Sequence, residues 1–273
     1  MMFVYLCATL VSGSSWTART YPKELVDIWT QRLGPVPDVN SEFTSLDSVT
    51  MDDNESNDVE FDARTRWPGF ISDSRDPGLC SGLYSFAAAS MATDRLAIHG
   101  VTTTVVSPQY LLSCGPKCRG CKSCTVTETV DNIKSIGFVS ESCFPFVSEK
   151  ARVPQCPANC QNGSKFTPFR PKRVYSQLTV KNDVYTNGPV VFILNIFPSF
   201  NRYSSGIYSP GSNETAMGTE PVLVVGWGTD GSNDYYIVKC FRGVLFGEGR
   251  GYARIRRLNS LWAGTGYGVE FEQ

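Results

Sequence analysis

The sequence has little histidine, little net charge and no long apolar run outside its amino terminus. His99 is the one histidine in 273 residues, so imidazole-dependent chemistry has a single candidate base. A net charge of −1 gives no bulk attraction to nucleic acid or to a membrane surface, and we expect neither as a partner. The longest apolar run, 190–197, is interrupted by Asn195 and is far too short to span a bilayer.

What the sequence does have points to export. Ten cysteines are many for a cytosolic chain. Residues 1–11 are mostly apolar and small polar residues follow them, which predicts a signal peptide over 1–15, although its first residues lack a basic side chain. Sequons at Asn54, Asn162 and Asn213 also fit passage through the secretory pathway.

The most informative segment is Cys80-Ser81-Gly82-Leu83-Tyr84. It resembles the nucleophile segment C-G-[SA]-C-[WY] of papain-like cysteine peptidases, whose second cysteine attacks the substrate. Cys80 matches the first cysteine, whereas Leu83 stands at the nucleophile. Leucine has no lone pair and no acidic proton, so the resemblance implies a peptidase scaffold without its reactive atom.

The resemblance covers residues 59–273 and favours the cathepsin B-like branch of the family. The matching segments keep the family's order and spacing; they are 59–64, 67–68, 107–114, 188–190, 204–208, 225–228, 237–243, 247–248 and 251–252. The resemblance implies an α+β fold of two lobes with a cleft between them. The left lobe, mainly 70–165, would be helical, and the right lobe, mainly 166–273, would be β-barrel-like.

Residue patterns agree with this division. Apolar periodicity and stop signals predict helices at 83–98 and 126–135. Runs of β-branched and aromatic residues predict strands, which are 190–196, 222–225, 235–238 and 252–255.

The four catalytic positions of the family all depart from its pattern. The resemblance places the oxyanion-hole Gln at Pro77, the nucleophile at Leu83, the catalytic His at Glu220 and the orienting Asn at Cys240. The last two follow Leu83 at close to the roughly 130 to 150 residues expected for the His and Asn. Papain-type acyl transfer needs a thiolate beside an imidazole, with donors for the oxyanion, and none of these groups is present.

No other group is well suited to replace the nucleophile and its base. At about 1.5 Å per residue, His99 would lie about 24 Å from Leu83, at the far end of the same helix, where the helix dipole favours a histidine. Cys80 is expected in a disulfide, and Ser85 points about 200° away from Leu83 around the helix. A thiol at Cys240 beside a carboxylate at Glu220 would have a raised pKa.

The cleft differs from the family's pattern in its walls as well. Lys122-Ser123-Cys124 replaces an Asn-Gly-Gly whose glycines let a substrate backbone approach. We expect Tyr84, Lys122, Ser123, Cys124 and Trp227 to line the cleft. The occluding loop of true cathepsin B would lie between Cys143 and Cys156, but this short segment has no His pair, so dipeptide trimming from a carboxyl terminus has no basis.

The cysteines remaining after signal removal are odd in number, since Cys7 leaves with residues 1–15. Eight paired cysteines allow 105 connectivities, so sequence alone cannot choose among them. The resemblance implies the pairs Cys80–Cys121, Cys114–Cys156 and Cys143–Cys160. Cys118 and Cys124 form a plausible fourth pair, and Cys240 is predicted to be the unpaired thiol. A zinc knuckle is the alternative for four of them, Cys114, Cys118, Cys121 and Cys124.

Residues 16–58 resemble a short prosegment followed by an acidic linker. Trp16-Thr17-Ala18 is similar to the W-x-A of cathepsin B-type prosegments, and 22–33 reads as a helix that stops at Gly34. Residues 35–60 contain no Lys or Arg, which favours a mobile linker open to proteases, with an ordered loop across the cleft as the alternative. Residues 1–15 could likewise be the remnant of a first prosegment helix.

The sequence thus leaves two main hypotheses for function. The first is an inactive pseudoenzyme, a secreted or lysosome-like vesicular protein that binds peptides, protease inhibitors or active relatives, for example as a decoy. The second is an active cysteine-type endopeptidase with a non-standard nucleophile, and a decaying gene copy is a third. We expect a monomer that needs no cofactor or metal.

Overall fold

The computed structural model describes residues 16–36, 60–175, 180–263 and 266–272. The predicted signal peptide, most of the acidic linker, Cys7 and the sequon at Asn54 lie outside these residues. The described helices are α1 (Lys23–Gln31), α2 (Ala63–Arg66), α3 (Leu83–Ile98), α4 (Pro108–Cys114), α5 (Val126–Ile136) and α6 (Val180–Asn187). The strands are β1 (Trp16–Ala18), β2 (Phe61–Asp62), β3 (Arg173–Tyr175), β4 (Val190–Ile196), β5 (Tyr203–Tyr208), β6 (Gly218–Asp230), β7 (Asn233–Lys239), β8 (Tyr252–Arg256) and β9 (Gly268–Glu270). The chain is therefore α+β, as predicted.

Helix α3 is buried on all sides, since its residues are mostly apolar or small and its two charged side chains, Asp94 and Arg95, are in ion pairs. It begins at Leu83, directly after Gly82, and ends before His99, as the sequence pattern predicted. Helix α5 begins with a capping box, in which Thr125 accepts from the Glu128 amide and Glu128 accepts from the Thr125 amide. This helix runs one residue beyond the predicted end, to Ile136.

The main sheet has seven strands in the order β1-β5-β8-β7-β6-β2, with β4 paired to β6 beside this path. Strand β6 is the long central strand. Its first half pairs with β4, and its second half lies between β7 and β2, which pairs with Gly226 and Trp227. The described strands of the right lobe form an open sheet. Among the described strands the path ends at β1 and β2, which pair with different strands and not with each other.

Buried ion pairs join α3 to helix α6 and to strand β7. Arg95, on α3, donates to the carboxylate of Asp183 at 2.7 Å and to the carbonyl of Val269 at 2.7 Å. Lys239, at the end of β7, lies 2.9 Å from Asp94 of α3, and both side chains are fully buried. Such pairs cost desolvation free energy but strongly penalise any arrangement that separates the partners, so they fix α3 against the sheet.

The amino-terminal segment 16–36 packs as part of the fold. Strand β1 pairs with β5, and the side chains of Trp16, Tyr21 and Trp29 are buried. The Tyr21 hydroxyl donates to the carbonyl of Tyr203 at 2.8 Å. These contacts hold the segment against the sheet, with its carboxyl-terminal end near the start of α3.

Four disulfides tie the loops around α3, α4 and α5. The bonded pairs are Cys80–Cys121, Cys114–Cys156, Cys118–Cys124 and Cys143–Cys160. Within the described residues, no helix is both long and apolar enough to cross a membrane.

Candidate functional site

The start of α3 offers no nucleophile. Leu83 is the first residue of the helix and its relative exposure is 3%. Cys80, three residues earlier, is bonded to Cys121. Ser85 donates its hydroxyl to the carbonyl of Gly82 at 2.7 Å, so it bonds to its own helix start. His99 caps the opposite end of the helix.

Two residues expected to line the cleft lie in the core instead. Tyr84 is buried beside Leu83, and burial raises the pKa of its hydroxyl above the ordinary value. Trp227 is covered by Phe61, whose ring stacks on it at a centroid distance of 4.9 Å. Of the remaining three, Lys122 and Ser123 are exposed, and Cys124 is half-buried and disulfide-bonded.

Glu220, the residue predicted to stand at the family's histidine position, is held in a buried ion pair with Arg242. Its Oε2 accepts from Nε of Arg242 at 2.8 Å and lies 2.7 Å from Nη2. Nη1 of Arg242 donates to the side-chain oxygen of Asn201 at 2.8 Å. The exposure of the Glu220 side chain is 2% and that of Arg242 is 0%, so solvent does not screen the pair. The Glu220 carboxylate therefore serves to bind the buried guanidinium of Arg242.

Cys240 is buried and is the one free cysteine among the described residues. Burial raises the pKa of its thiol well above the ordinary value, the negative charge of Glu220 raises it further, and Arg242 opposes them. The thiol is therefore protonated at neutral pH and is a poor nucleophile.

A segment of the chain itself lies across the site. Gly34 forms an antiparallel bridge with Thr219: its amide donates to the Thr219 carbonyl at 2.8 Å and its carbonyl accepts at 2.9 Å. A Cβ added to Gly34 would lie 2.9 Å from Oγ1 of Thr219 and 3.3 Å from Oγ of Ser123. The backbone at Gly34 therefore passes between Ser123, one of the residues predicted to line the cleft, and the strand that carries Glu220.

Arg32 reaches from this segment to the neighbours of Pro77 and Cys240, two of the predicted catalytic positions. Nη1 donates to Oδ1 of Asp76 at 2.6 Å and to the carbonyl of Gly78 at 3.2 Å, on either side of Pro77. Nη2 donates to the carbonyl of Phe241 at 3.2 Å, next to Cys240. Burial lowers the pKa of Arg32 from its ordinary value, and the charges of Asp76 and Glu220 oppose that change.

The polarity at Pro77 is opposite to that of an oxyanion site. An oxyanion site aims hydrogen-bond donors at developing negative charge. Here the oxygens of Asp76 and Gly78 face a guanidinium, and Pro77 has no amide hydrogen or side-chain amide to offer. The arrangement is suited to binding a cation.

The zinc interpretation was wrong because its ligand atoms are used elsewhere. Cys118 and Cys124 are bonded to each other, and Cys114 and Cys121 are bonded to other cysteines. Disulfide sulfurs are not thiolates, so these residues do not form a zinc knuckle. The sequons at Asn162 and Asn213 are exposed, which leaves both asparagines accessible for glycosylation.

The sequence pattern missed four residues that form the site. Arg32, Asp76, Asn201 and Arg242 were not singled out, although each carries a polar contact there. One indirect sign of the site was present in the sequence. Gly34 is interpreted there as the stop of the first helix, whereas in the structure it is where the backbone closely approaches Thr219.

Comparison with known proteins gives a consistent result. Residues 58–269 match the family described as papain family cysteine protease. The chain is 28% identical to cathepsin B-like cysteine proteinase 3 of Caenorhabditis elegans, over 72% of this chain and 61% of that protein. It is 30% identical to tubulointerstitial nephritis antigen of Bos taurus, over 89% of this chain and 59% of that protein. The chain thus spans about three fifths of the length of these curated relatives.

Solved structures agree. The fold is similar to procathepsin B S9 from Trypanosoma congolense, with a TM-score of 0.76 and 25% identity, covering 89% of this chain and 88% of that chain. Procathepsin L2 proteinase from the Tenebrio molitor larval midgut has a TM-score of 0.75 at 22% identity, over 94% and 85% of the two chains. The papain-like fold and the cathepsin B-like resemblance are both confirmed.

Proposed function

The chain belongs to the papain family of cysteine proteases, and from that premise we propose that it is a non-catalytic member that acts as a binding protein. Family membership describes the scaffold, whereas activity depends on the groups in the site. The assignment of catalytic positions to Pro77, Leu83, Glu220 and Cys240 is part of this proposal.

The observation that carries the proposal is the position of Arg32. Its guanidinium is bound by oxygens of Asp76 and Gly78, where acyl transfer would need donors aimed at an oxyanion. A tetrahedral intermediate carries negative charge on oxygen, so these acceptors would destabilise it.

The missing nucleophile and base support the same conclusion. Leu83 has no reactive atom, and Glu220 is committed to Arg242. A buried carboxylate beside Cys240 favours the protonated thiol, which removes the remaining sulfur from consideration as a nucleophile.

The binding role is proposed for a secreted or vesicular protein. Four disulfides favour an oxidising compartment, and the exposed sequons at Asn162 and Asn213 agree with export. Peptides, protease inhibitors and active relatives are the candidate partners. A partner that enters the cleft must displace the segment at Arg32 and Gly34, so partners that bind outside it encounter less competition.

Activity measurements on the purified full chain test the proposal. A panel of fluorogenic peptides and a thiol-directed epoxide probe are applied at acid and neutral pH, with an active cathepsin B-type enzyme as the positive control. We expect no turnover and no labelling. Turnover that the epoxide abolishes would reject the non-catalytic role.

The alternative is an active cysteine-type endopeptidase with a different nucleophile. The similarity to a protein called a cysteine proteinase favours it. The same experiment discriminates, because a probe that labels a mapped cysteine would identify the replacement nucleophile directly.

A further inference from the structure

Arg32 is buried although it belongs to a segment at the mouth of a cleft. Its side chain is 1% exposed, and it follows α1 with the backbone leading on to Gly34. Burying an arginine is unfavourable unless its charge and its donors are matched. The surroundings of Arg32 therefore indicate what the cleft is built to hold.

The groups that match Arg32 come from the domain around the cleft and not from the amino-terminal segment. Asp76 and Gly78 lie in the loop before α3, and Phe241 lies after β7. They would remain in place if another molecule supplied the arginine.

The pocket is specific for a planar fork of donors. Nη1 bonds to the carboxylate of Asp76 and the carbonyl of Gly78, while Nη2 bonds to the carbonyl of Phe241. A lysine ammonium is a single point and cannot serve acceptors on both sides in the same way. The negative charge of Glu220 adds to that of Asp76, since both oppose the burial effect on the pKa of Arg32.

The other nearby cation does not satisfy this pocket. Arg242 directs Nε and Nη2 to Glu220 and Nη1 to Asn201. Arg32 is therefore the cation that pairs with Asp76 among the described residues.

The backbone two residues after the arginine is recognised too. Gly34 exchanges two hydrogen bonds with Thr219, at 2.8 and 2.9 Å, in the manner of an added strand. Thr219 and Ser123 leave little room for a side chain at that position. The cleft thus combines a guanidinium pocket with a narrow passage that favours glycine.

We propose that the former catalytic cleft is a binding site for peptides of the form Arg-x-Gly, occupied in this structure by Arg32 and Gly34 of the same chain. An external peptide would compete with this internal segment. The inference rests on the proposed binding role and assigns a ligand class to it.

The test uses the full chain carrying Arg32→Ala and the probe peptide acetyl-Gln-Arg-Leu-Gly-Pro-amide. Calorimetry and the shift in thermal midpoint measure binding, and mass spectrometry records whether the peptide is cut. We expect saturable binding to the variant and at least roughly tenfold weaker binding to the wild-type chain, whose pocket is filled. A matched peptide with Lys in place of Arg should bind at least roughly tenfold more weakly.

Asp76→Asn added to Arg32→Ala should abolish the preference for the Arg peptide. If Arg32→Ala does not fold, Arg32→Lys replaces it, and the Arg peptide should still bind better than the Lys peptide. Equal binding of the Arg and Lys peptides, or a preference for the Arg peptide that survives Asp76→Asn, would reject the proposed guanidinium pocket. A peptide that is bound and cut would reject the non-catalytic role and keep the pocket, whereas one that is neither bound nor cut would reject only the pocket.

Discussion

The guanidinium carbon of Arg242 lies 5.2 Å from the centre of the Trp29 ring. Trp29 belongs to helix α1, so the amino-terminal segment covers a buried charge of the domain. Phe200 and Phe246 place their rings 5.0 Å from the same carbon. A desolvated cation against an aromatic face is stabilised by up to about 2 kcal/mol, which makes α1 a component of the core around the site.

Trp29→Ala should therefore destabilise the whole domain. The change removes a fully buried ring and opens a cavity beside Arg242, for which we expect a loss of about 3–5 kcal/mol in the free energy of unfolding. Urea unfolding followed by fluorescence and by circular dichroism measures it. Glu24→Ala, on the exposed face of the same helix, is the control and should leave the midpoint unchanged. A wild-type midpoint for Trp29→Ala would mean that α1 is dispensable.

Glu220→Gln should destabilise more than its small change in shape suggests. It leaves the charge of Arg242 buried without its partner, which costs about 3–5 kcal/mol. The double change Glu220→Leu with Arg242→Met removes both charges and should be less damaging than the single change. Comparing the urea midpoints of the two variants separates the effect of an unpaired charge from a packing defect. Similar losses in both would argue against the charge explanation.

Cys240 should be an unreactive thiol, and its burial should make the free energy of unfolding fall as pH rises into the alkaline range. Its pKa is raised in the folded state, so its contribution is complete below the unfolded pKa of about 8.5 and declines as pH rises toward the folded pKa. Above about pH 9 this group alone should lower the free energy of unfolding by about 1 kcal/mol per pH unit. Urea unfolding at several pH values should show a shallower decline for Cys240→Ala.

Alkylation gives an independent check on the same thiol. The peptide that contains Cys240 should be labelled only after denaturant is added, because the thiol is buried. Rapid labelling of the native protein at neutral pH would instead indicate a reactive cysteine.

Leu83→Cys alone should give no measurable peptide hydrolysis. No imidazole is available to form a thiolate there, since His99 is at the other end of α3. Restoring Pro77→Gln, Glu220→His and Cys240→Asn as well should give weak activity at most, because loss of Glu220 leaves Arg242 unpaired and Ser123 narrows the cleft. Fluorogenic assays on protein of verified fold test both variants, and robust turnover by the single variant would reveal another base.

Local patterns in the sequence were sufficient for the elements that lead to the site. The Ala-rich run after Leu83 formed the predicted helix, and the run from Val190 to Ile196 formed the predicted strand. The central strand β6 is longer than its apolar run, because pairing with β4, β7 and β2 extends it through polar residues.

The charges of the site could not be predicted in the same way. Arg32 and Asp76 are 44 residues apart, and nothing in the local pattern around either one indicates the other. Glu220 and Arg242 form a pair only because both side chains point into the core. A charged residue in a sequence is normally expected at the surface, so the pattern gives no indication of this pairing. The resemblance to a peptidase predicted the catalytic positions, and the fold showed which charged side chains lie beside them.

Strand β1 protects the edge of β5 from pairing with a second molecule in concentrated solution. Its three residues occupy the outer hydrogen-bonding edge of β5, whose other edge is taken by β8. An uncovered strand edge is a template for pairing with a second molecule. Loss of residues 16–18, by processing or by truncation, would replace the three-residue edge strand β1 by the six-residue strand β5 as the edge of the sheet. The longer uncovered edge would make the shortened protein prone to aggregate through it even if the rest of its core were intact.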